Sequence, residues 1–177
     1  MYITPQDEVD QIYSLLESTI DVLDKHGIGY YIIAGSLLGA VRHGGLIPWD
    51  DDVDIMVNSN DRKKLESCTK DFEPMGLKLS KHTFTTNPCY KVWSPKSKQW
   101  QNKNTHTYHF IDIFLADHDK MENKMIPTGF DNKKDARSNK TLMFEYDEVY
   151  PLKEYDFGPY KVKGPAKAEA YLVRAYG

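Results

Sequence analysis

The chain has 177 residues, 40% of them hydrophobic and 28% charged, with a formal net charge of −3. That length supports one domain with a sizeable core, and the acidic balance argues against bulk nucleic-acid binding, which shows as a basic excess. No apolar run approaches membrane-spanning length, and the opening residues MYITPQDEVD lack the basic and apolar regions of a signal peptide, so the expected location is cytoplasmic.

Thr4-Pro5-Gln6-Asp7 reads as a helix start, with a capping hydroxyl, proline at the first helical position and acid in the first turn. Val9, Ile12, Leu16, Ile20 and Leu23 continue at helical spacing, and Gly27 offers the stop. Tyr30 to Ala34 predicts a short buried strand ended by Gly35-Ser36, and Leu37 to Arg42 a short helix. After a glycine-proline loop from His43 to Trp49, Asp52 to Val57 alternates polar and apolar residues, the period of a strand.

A helix is expected near Asp61 to Asp71, capped by Asn58, Ser59 or Asn60. Leu77 to Ser80, Tyr90 to Trp93 and Tyr108 to Leu115 read as strands. Ser94 to Thr107 is polar and reads as a hairpin or loop, and Asp117 to Lys140, rich in Asp, Asn and Lys, carries no element signal. Tyr160 to Val162 reads as a short strand and Ala166 to Tyr176 as a closing helix. Cys68 and Cys89 lack metal-ligand spacing and read as free structural thiols. The pattern predicts an α+β fold, a small mixed β-sheet with flanking helices, in a single domain over residues 1–177.

The chemistry concentrates in Gly35 to Val57, GSLLGAVRHGGLIPWDDDVDIMV, which holds Asp50, Asp51, Asp52 and Asp54. Residues two apart in a strand share a face, so Asp52 and Asp54 point together while Val53, Ile55 and Val57 face an apolar layer. Carboxylates roughly 6–7 Å apart along a strand suit hard divalent cations such as Mg²⁺ or Mn²⁺. In HFIDIFL, Asp112 lies between Phe110 and Phe114, opposite Ile111 and Ile113, and an isolated aspartate in such a strand needs a partner. The competing reading of the acidic string is a solvated turn leading into an edge strand.

Gly35-Ser36, between a strand and a helix, can expose backbone N–H groups to a phosphate, although a glycine there also serves simply as a turn. Arg42 and His43 either add positive charge to the same ligand or sit solvated at a helix end. Trp49 either stacks on a base or walls its loop. Lys91, in YKVW, reads as a snorkelling surface lysine that would otherwise face the site.

The order of strand, Gly-Ser, helix, Asp-x-Asp strand and later aspartate strand resembles nucleotidyltransferases of the polymerase-β type. The stretch GSLLGAVRHGGLIPWDDDVDIMV resembles the signature of the LicD family, which includes bacterial phosphocholine transferases and the fukutin-related proteins. YHFIDIF resembles that family's later aspartate strand, and YPLKEYDFGPYKVKGP with EAYLVRAYG resembles its closing elements. The resemblance implies a nucleotidyltransferase fold. It makes Asp52 and Asp54 the metal-binding pair, Asp112 the third active-site carboxylate, and Gly35 and Ser36 the phosphate-binding turn, with Arg42 and Trp49 as further donor-binding candidates. It further implies a Mg²⁺- or Mn²⁺-dependent phosphotransferase that moves a phosphocholine-like or ribitol-phosphate-like group from a CDP-alcohol donor to a glycan hydroxyl, releasing CMP. The cysteine cluster of the fukutin-related branch's zinc site is absent from this sequence. Two rivals remain open here: a nucleotidyltransferase that moves a nucleoside monophosphate from an NTP, and a degenerate nucleotide-binding module.

Overall fold

The computed structural model describes residues 3–83, 88–97, 109–129 and 142–177. Helix α1 spans Gln6–Lys25 and buries Ile12, Leu15, Leu16, Thr19, Val22 and Leu23. Its start differs from expectation. Pro5 is the cap residue, and the Thr4 hydroxyl, expected to cap the helix, instead donates to the Asp50 carbonyl oxygen at 2.8 Å. A long-range acceptor has outcompeted the local one.

Strand β1 (Tyr30–Ile32) leads into α2 (Ala34–His43), so Gly35 and Ser36 form the first turn of a helix that starts earlier than expected. The strand β2 (Asp52–Asn58) follows the connecting loop. The single helix expected from Asp61 to Asp71 is broken into a 3₁₀ turn at Ser59–Asp61, α3 (Arg62–Ser67), α4 (Thr69–Phe72) and a second 3₁₀ turn at Glu73–Met75. The Ser67 and Thr69 hydroxyls donate to the Lys64 and Glu66 carbonyls, a local bonding that competes with a continuous helix, and Pro74 follows.

Strands β3 (Lys78–His82), β4 (Cys89–Trp93) and β5 (Phe110–Asp119) come next. The segment from Asp117, expected to lack elements, contains the end of β5 and all of β6 (Lys124–Thr128). Asp119 accepts from the N–H groups of Met121 and Glu122, and Asn123 takes a φ of +51°, which together build a hairpin turn from polar residues. Positions 98–107 of the expected polar loop, Tyr108 at the expected strand start and positions 130–140 lie outside the described residues. The chain closes with β7 (Phe144–Glu145), α5 (Tyr146–Val149), the hairpin β8 (Lys153–Phe157) and β9 (Tyr160–Gly164), and α6 (Ala168–Tyr176). Strand β8 is not expected from the residue pattern alone; it lies in YPLKEYDFGPYKVKGP, the stretch whose resemblance implies a Phe-Gly strand.

The main sheet runs β1-β2-β5-β4-β3, and the far half of β5 also pairs with β6, which pairs with β7. Strands β2 and β5 are parallel and the other pairings antiparallel, so the sheet is mixed and helix-flanked, in keeping with a nucleotidyltransferase-like fold. Val53, Ile55 and Val57 pair with Ile111, Ile113 and Leu115, and all six are buried. Helix α1 packs on β2, β4 and β5, the strands that carry this apolar face. Cys68 and Cys89 are buried and free, as expected.

Candidate active site

β2 is an interior strand, flanked by β1 and β5, which removes the reading of the acidic string as the lead-in to an edge strand. Its register sets Asp54 directly beside Asp112 of β5, and β4 sets Lys91 on the other side of Asp112. Cross-strand partners share a face, so Asp54, Asp112 and Lys91 form a charged row across three strands, opposite the apolar face. Asp52 joins them, two residues along. Carboxylate oxygens of Asp52, Asp54 and Asp112 all lie within 4.8 Å of one another.

The β1–α2 junction grips this strand by its backbone. The Asp54 N–H donates to the Ser36 hydroxyl at 2.8 Å, and the Ile33 N–H donates to the Asp54 carbonyl at 3.1 Å. Ser36 is buried, so its hydroxyl positions the Asp-x-Asp strand. Ala34 stands at the junction with a φ of +49°, a strained region for a residue bearing a Cβ. A Cβ built on Gly35 would lie 3.1 Å from Asp50 Oδ2, which puts the Asp50 carboxylate at the first turn of α2.

The loop that delivers the carboxylates is anchored along its length. Thr4 holds the Pro48 and Asp50 carbonyls through its N–H and hydroxyl, each at 2.8 Å. The Leu46 N–H donates to the Tyr13 hydroxyl, and the Gly158 N–H at the β8–β9 turn donates to the Gly44 carbonyl. His109, buried just before β5, reaches the Asp51 carbonyl through Nδ1 at 3.2 Å and Glu8 through Nε2 at 3.5 Å. Asp50, Asp51 and Asp52 form a second close group of carboxylates that shares Asp52 with the first.

Burial and mutual repulsion make these acids weak. Burial, then the charges of Asp112, Asp50 and Asp51, push the Asp52 carboxyl up to about 7. Asp54 is raised well above the ordinary value by burial, Asp52 and Asp112, and Lys91 opposes the rise at both residues. Asp112 is also raised by burial, against the pull of Lys91 and a hydrogen bond from the Cys89 thiol. Three crowded oxygen ligands whose negative charge is incompletely offset fit the needs of a hard divalent cation.

Lys91 is the residue whose place the sequence reading missed. It is 8% exposed, with Nζ 2.5 Å from Asp112 Oδ1 and 3.4 Å from the centre of the Phe110 ring. Arg42 is exposed in the last turn of α2, roughly 10 Å along the axis from Gly35 at 1.5 Å per residue. His43 is exposed beside it, and Trp49 is 51% exposed in the loop before Asp50. The closing helix also borders the carboxylates: Asp54 adds to the burial that raises the Tyr171 and Tyr176 phenols, and Asp50 adds to it at Tyr176.

Residues 27–167 match the family described as LicD/FKTN/FKRP, nucleotidyltransferase domain. An uncharacterized protein of Rickettsia prowazekii is 36% identical over 166 residues, covering 93% of this chain and 53% of that protein. The lipopolysaccharide cholinephosphotransferase LicD of Haemophilus influenzae is 26% identical over 107 residues, 58% of this chain and 40% of that protein. The human ribitol 5-phosphate transferase FKRP is 50% identical over 42 residues, 24% of this chain and 8% of that protein. The chain spans about half the length of the curated relatives it matches over nearly all of its own residues, at 53% and 45% of theirs. Among the described residues no helix is long and apolar enough to cross a membrane.

Proposed function

Because the chain belongs to the LicD/FKTN/FKRP nucleotidyltransferase-domain family, we propose that it is a metal-dependent transferase that moves a phosphorylated alcohol from a CDP-activated donor to a glycan hydroxyl. The observation that carries this reading is the convergence of Asp52, Asp54 and Asp112 on one sheet face beside the first turn of α2. Relatives named as a cholinephosphotransferase and a ribitol 5-phosphate transferase support the class of group transferred.

In this reading the acceptor oxygen bonds to the β-phosphorus of the donor, the bond from that phosphorus to the bridging oxygen breaks, and CMP leaves. Asp52 and Asp54 would hold a Mg²⁺ or Mn²⁺ ion, with Asp112 completing the ligand set or taking the acceptor proton. A bound divalent ion supplies neutralisation of the diphosphate charge, the main electrostatic demand of phosphoryl transfer. The N–H groups of the first turn of α2 provide a cradle for the donor phosphates, as helix N-termini do for anions. Arg42 and Trp49 are donor-side candidates at the far end of α2 and in the loop that follows.

The test is product analysis. The chain is incubated with Mg²⁺ and CDP-choline, CDP-ethanolamine, CDP-ribitol or CDP-glycerol, and in parallel with each NTP. Metal-dependent release of CMP from a CDP-alcohol supports the transferase. Pyrophosphate release from an NTP in place of CMP supports nucleotidyl transfer. Nucleotide binding with neither product supports a binding module.

A further inference from the structure

The sheet places a cation inside the carboxylate cluster. Lys91 pairs in register with Asp112, which pairs in register with Asp54, so one ammonium closes a row of acids. Nζ lies 2.5 Å from Asp112 Oδ1, and the ring of Phe110, two residues before Asp112, covers it at 3.4 Å. Lys91 is 8% exposed, so solvent does little to screen its charge. The Cys89 thiol, on the same face of β4 two residues earlier, donates to Asp112 as well.

We propose that Lys91 is a positioning residue that fixes the Asp112 carboxylate and acts as the built-in counter-charge of the triad, so that the metal-free site stays folded and affinity for divalent cations is held down. Two consequences follow from the placement. The ammonium competes directly for Asp112 Oδ1, an oxygen a divalent ion would otherwise use. It also repels any cation entering between Asp52 and Asp54, which share its sheet face two strands away. A lysine serving only to fill the strand would leave metal affinity unchanged when replaced by a side chain of equal length.

The inference rests on the cation reading of the site, and Mn²⁺ titration separates the two. Mn²⁺ is titrated at pH 8 into the parent, Lys91→Met and Lys91→Arg, with binding followed by calorimetry and folding by circular dichroism. Lys91→Met removes the charge while keeping the chain length. Its metal-free form should melt below the parent, and it should bind Mn²⁺ at least tenfold more tightly, about 1.4 kcal/mol. Lys91→Arg should stay within threefold of the parent. If Lys91→Met is unfolded without metal, Mn²⁺ should restore its fold. Parental or weaker Mn²⁺ affinity in Lys91→Met, or a variant unfolded with and without Mn²⁺, overturns the role of Lys91. A parent that binds no Mn²⁺ overturns the cation site itself.

Discussion

The Ser36 hydroxyl accepts the backbone N–H of Asp54 at 2.8 Å, tying the first turn of α2 to the strand that carries the acidic pair. The helix turn and the carboxylates therefore keep one spacing, which the proposed joint grip on phosphate and metal would require. Ser36→Ala leaves the Asp54 N–H without this acceptor. It should cost about 1–2 kcal/mol in urea unfolding, the usual penalty for a partly buried donor left unpaired. It should also weaken Mn²⁺ binding, because Asp54 loses its anchor. Unchanged stability and unchanged metal affinity would remove this role for Ser36.

The carboxylates predict an inverted pH dependence for the metal-free protein. The folded value of Asp52, about 7, exceeds the ordinary carboxylate value near 4, so the folded state holds the proton more tightly than the unfolded chain. Its contribution to stability is complete below the lower value and is lost as pH rises through about 7. Asp54 and Asp112 are raised and act in the same direction. The stability difference between the parent and Asp52→Asn should thus move in favour of Asn from pH 5 to pH 8. The gain on adding Mn²⁺ should be larger at pH 8, where the ligands are ionised. Melting curves of both proteins across that range, with and without Mn²⁺, check the sign.

The two aspartate strands were legible because DVDIMV and FIDIFL alternate cleanly, and alternation alone puts the acids on the face away from the core. Their register was not, since pairing of Asp54 with Asp112 depends on β5 inserting between β2 and β4. The same limit hid Lys91. In CYKVW it lies opposite Tyr90 and Val92, a lone charge in an apolar strand, which is the signal that marked Asp112. Without the strand order, nothing named its partner. Thr4 misled for a related reason: a hydroxyl before Pro5 satisfies the capping pattern, and only the folded loop supplies the Asp50 carbonyl that takes it. The hairpin of β5 and β6 was missed because its turn is made of Asp119 and Asn123 side-chain and backbone geometry inside a polar run.

Gly39, inside α2, offers a test of the loop's seating. Replacing a helical glycine by alanine ordinarily gains about 1 kcal/mol. Here a Cβ would lie 2.4 Å from the Gly45 carbonyl oxygen and 3.2 Å from the Ile47 nitrogen, both in the loop that leads to Asp50. Gly39→Ala should therefore destabilise by about 1–3 kcal/mol through overpacking. A stabilised variant would show that the helix and loop are not in close contact.

A variant at Gly35 tests the proposed phosphate cradle apart from the proposed metal site. Gly35→Val adds bulk in the first turn of α2, 3.1 Å from Asp50 Oδ2, whereas Asp54 and Asp112 sit side by side on strands β2 and β5. With the fold verified by circular dichroism, it should weaken nucleotide binding more than tenfold and change Mn²⁺ affinity less than threefold. Equal losses in both would mean that the turn supports the strand and does not receive the donor.

The most direct measurement is calorimetric titration of CDP-choline, CTP, ATP and GTP into the parent and into Asp54→Asn, each with Mg²⁺ and again with a chelator. Asparagine is nearly isosteric, so it removes the charge with little change of shape. The expected result is saturable binding of a cytidine compound to the parent in Mg²⁺, lost in the chelator and lost in Asp54→Asn. Equal binding of all four nucleotides, binding indifferent to Mg²⁺ and to Asp54, or no binding of any cytidine compound would contradict a metal-held CDP-alcohol donor at Asp52, Asp54 and Asp112.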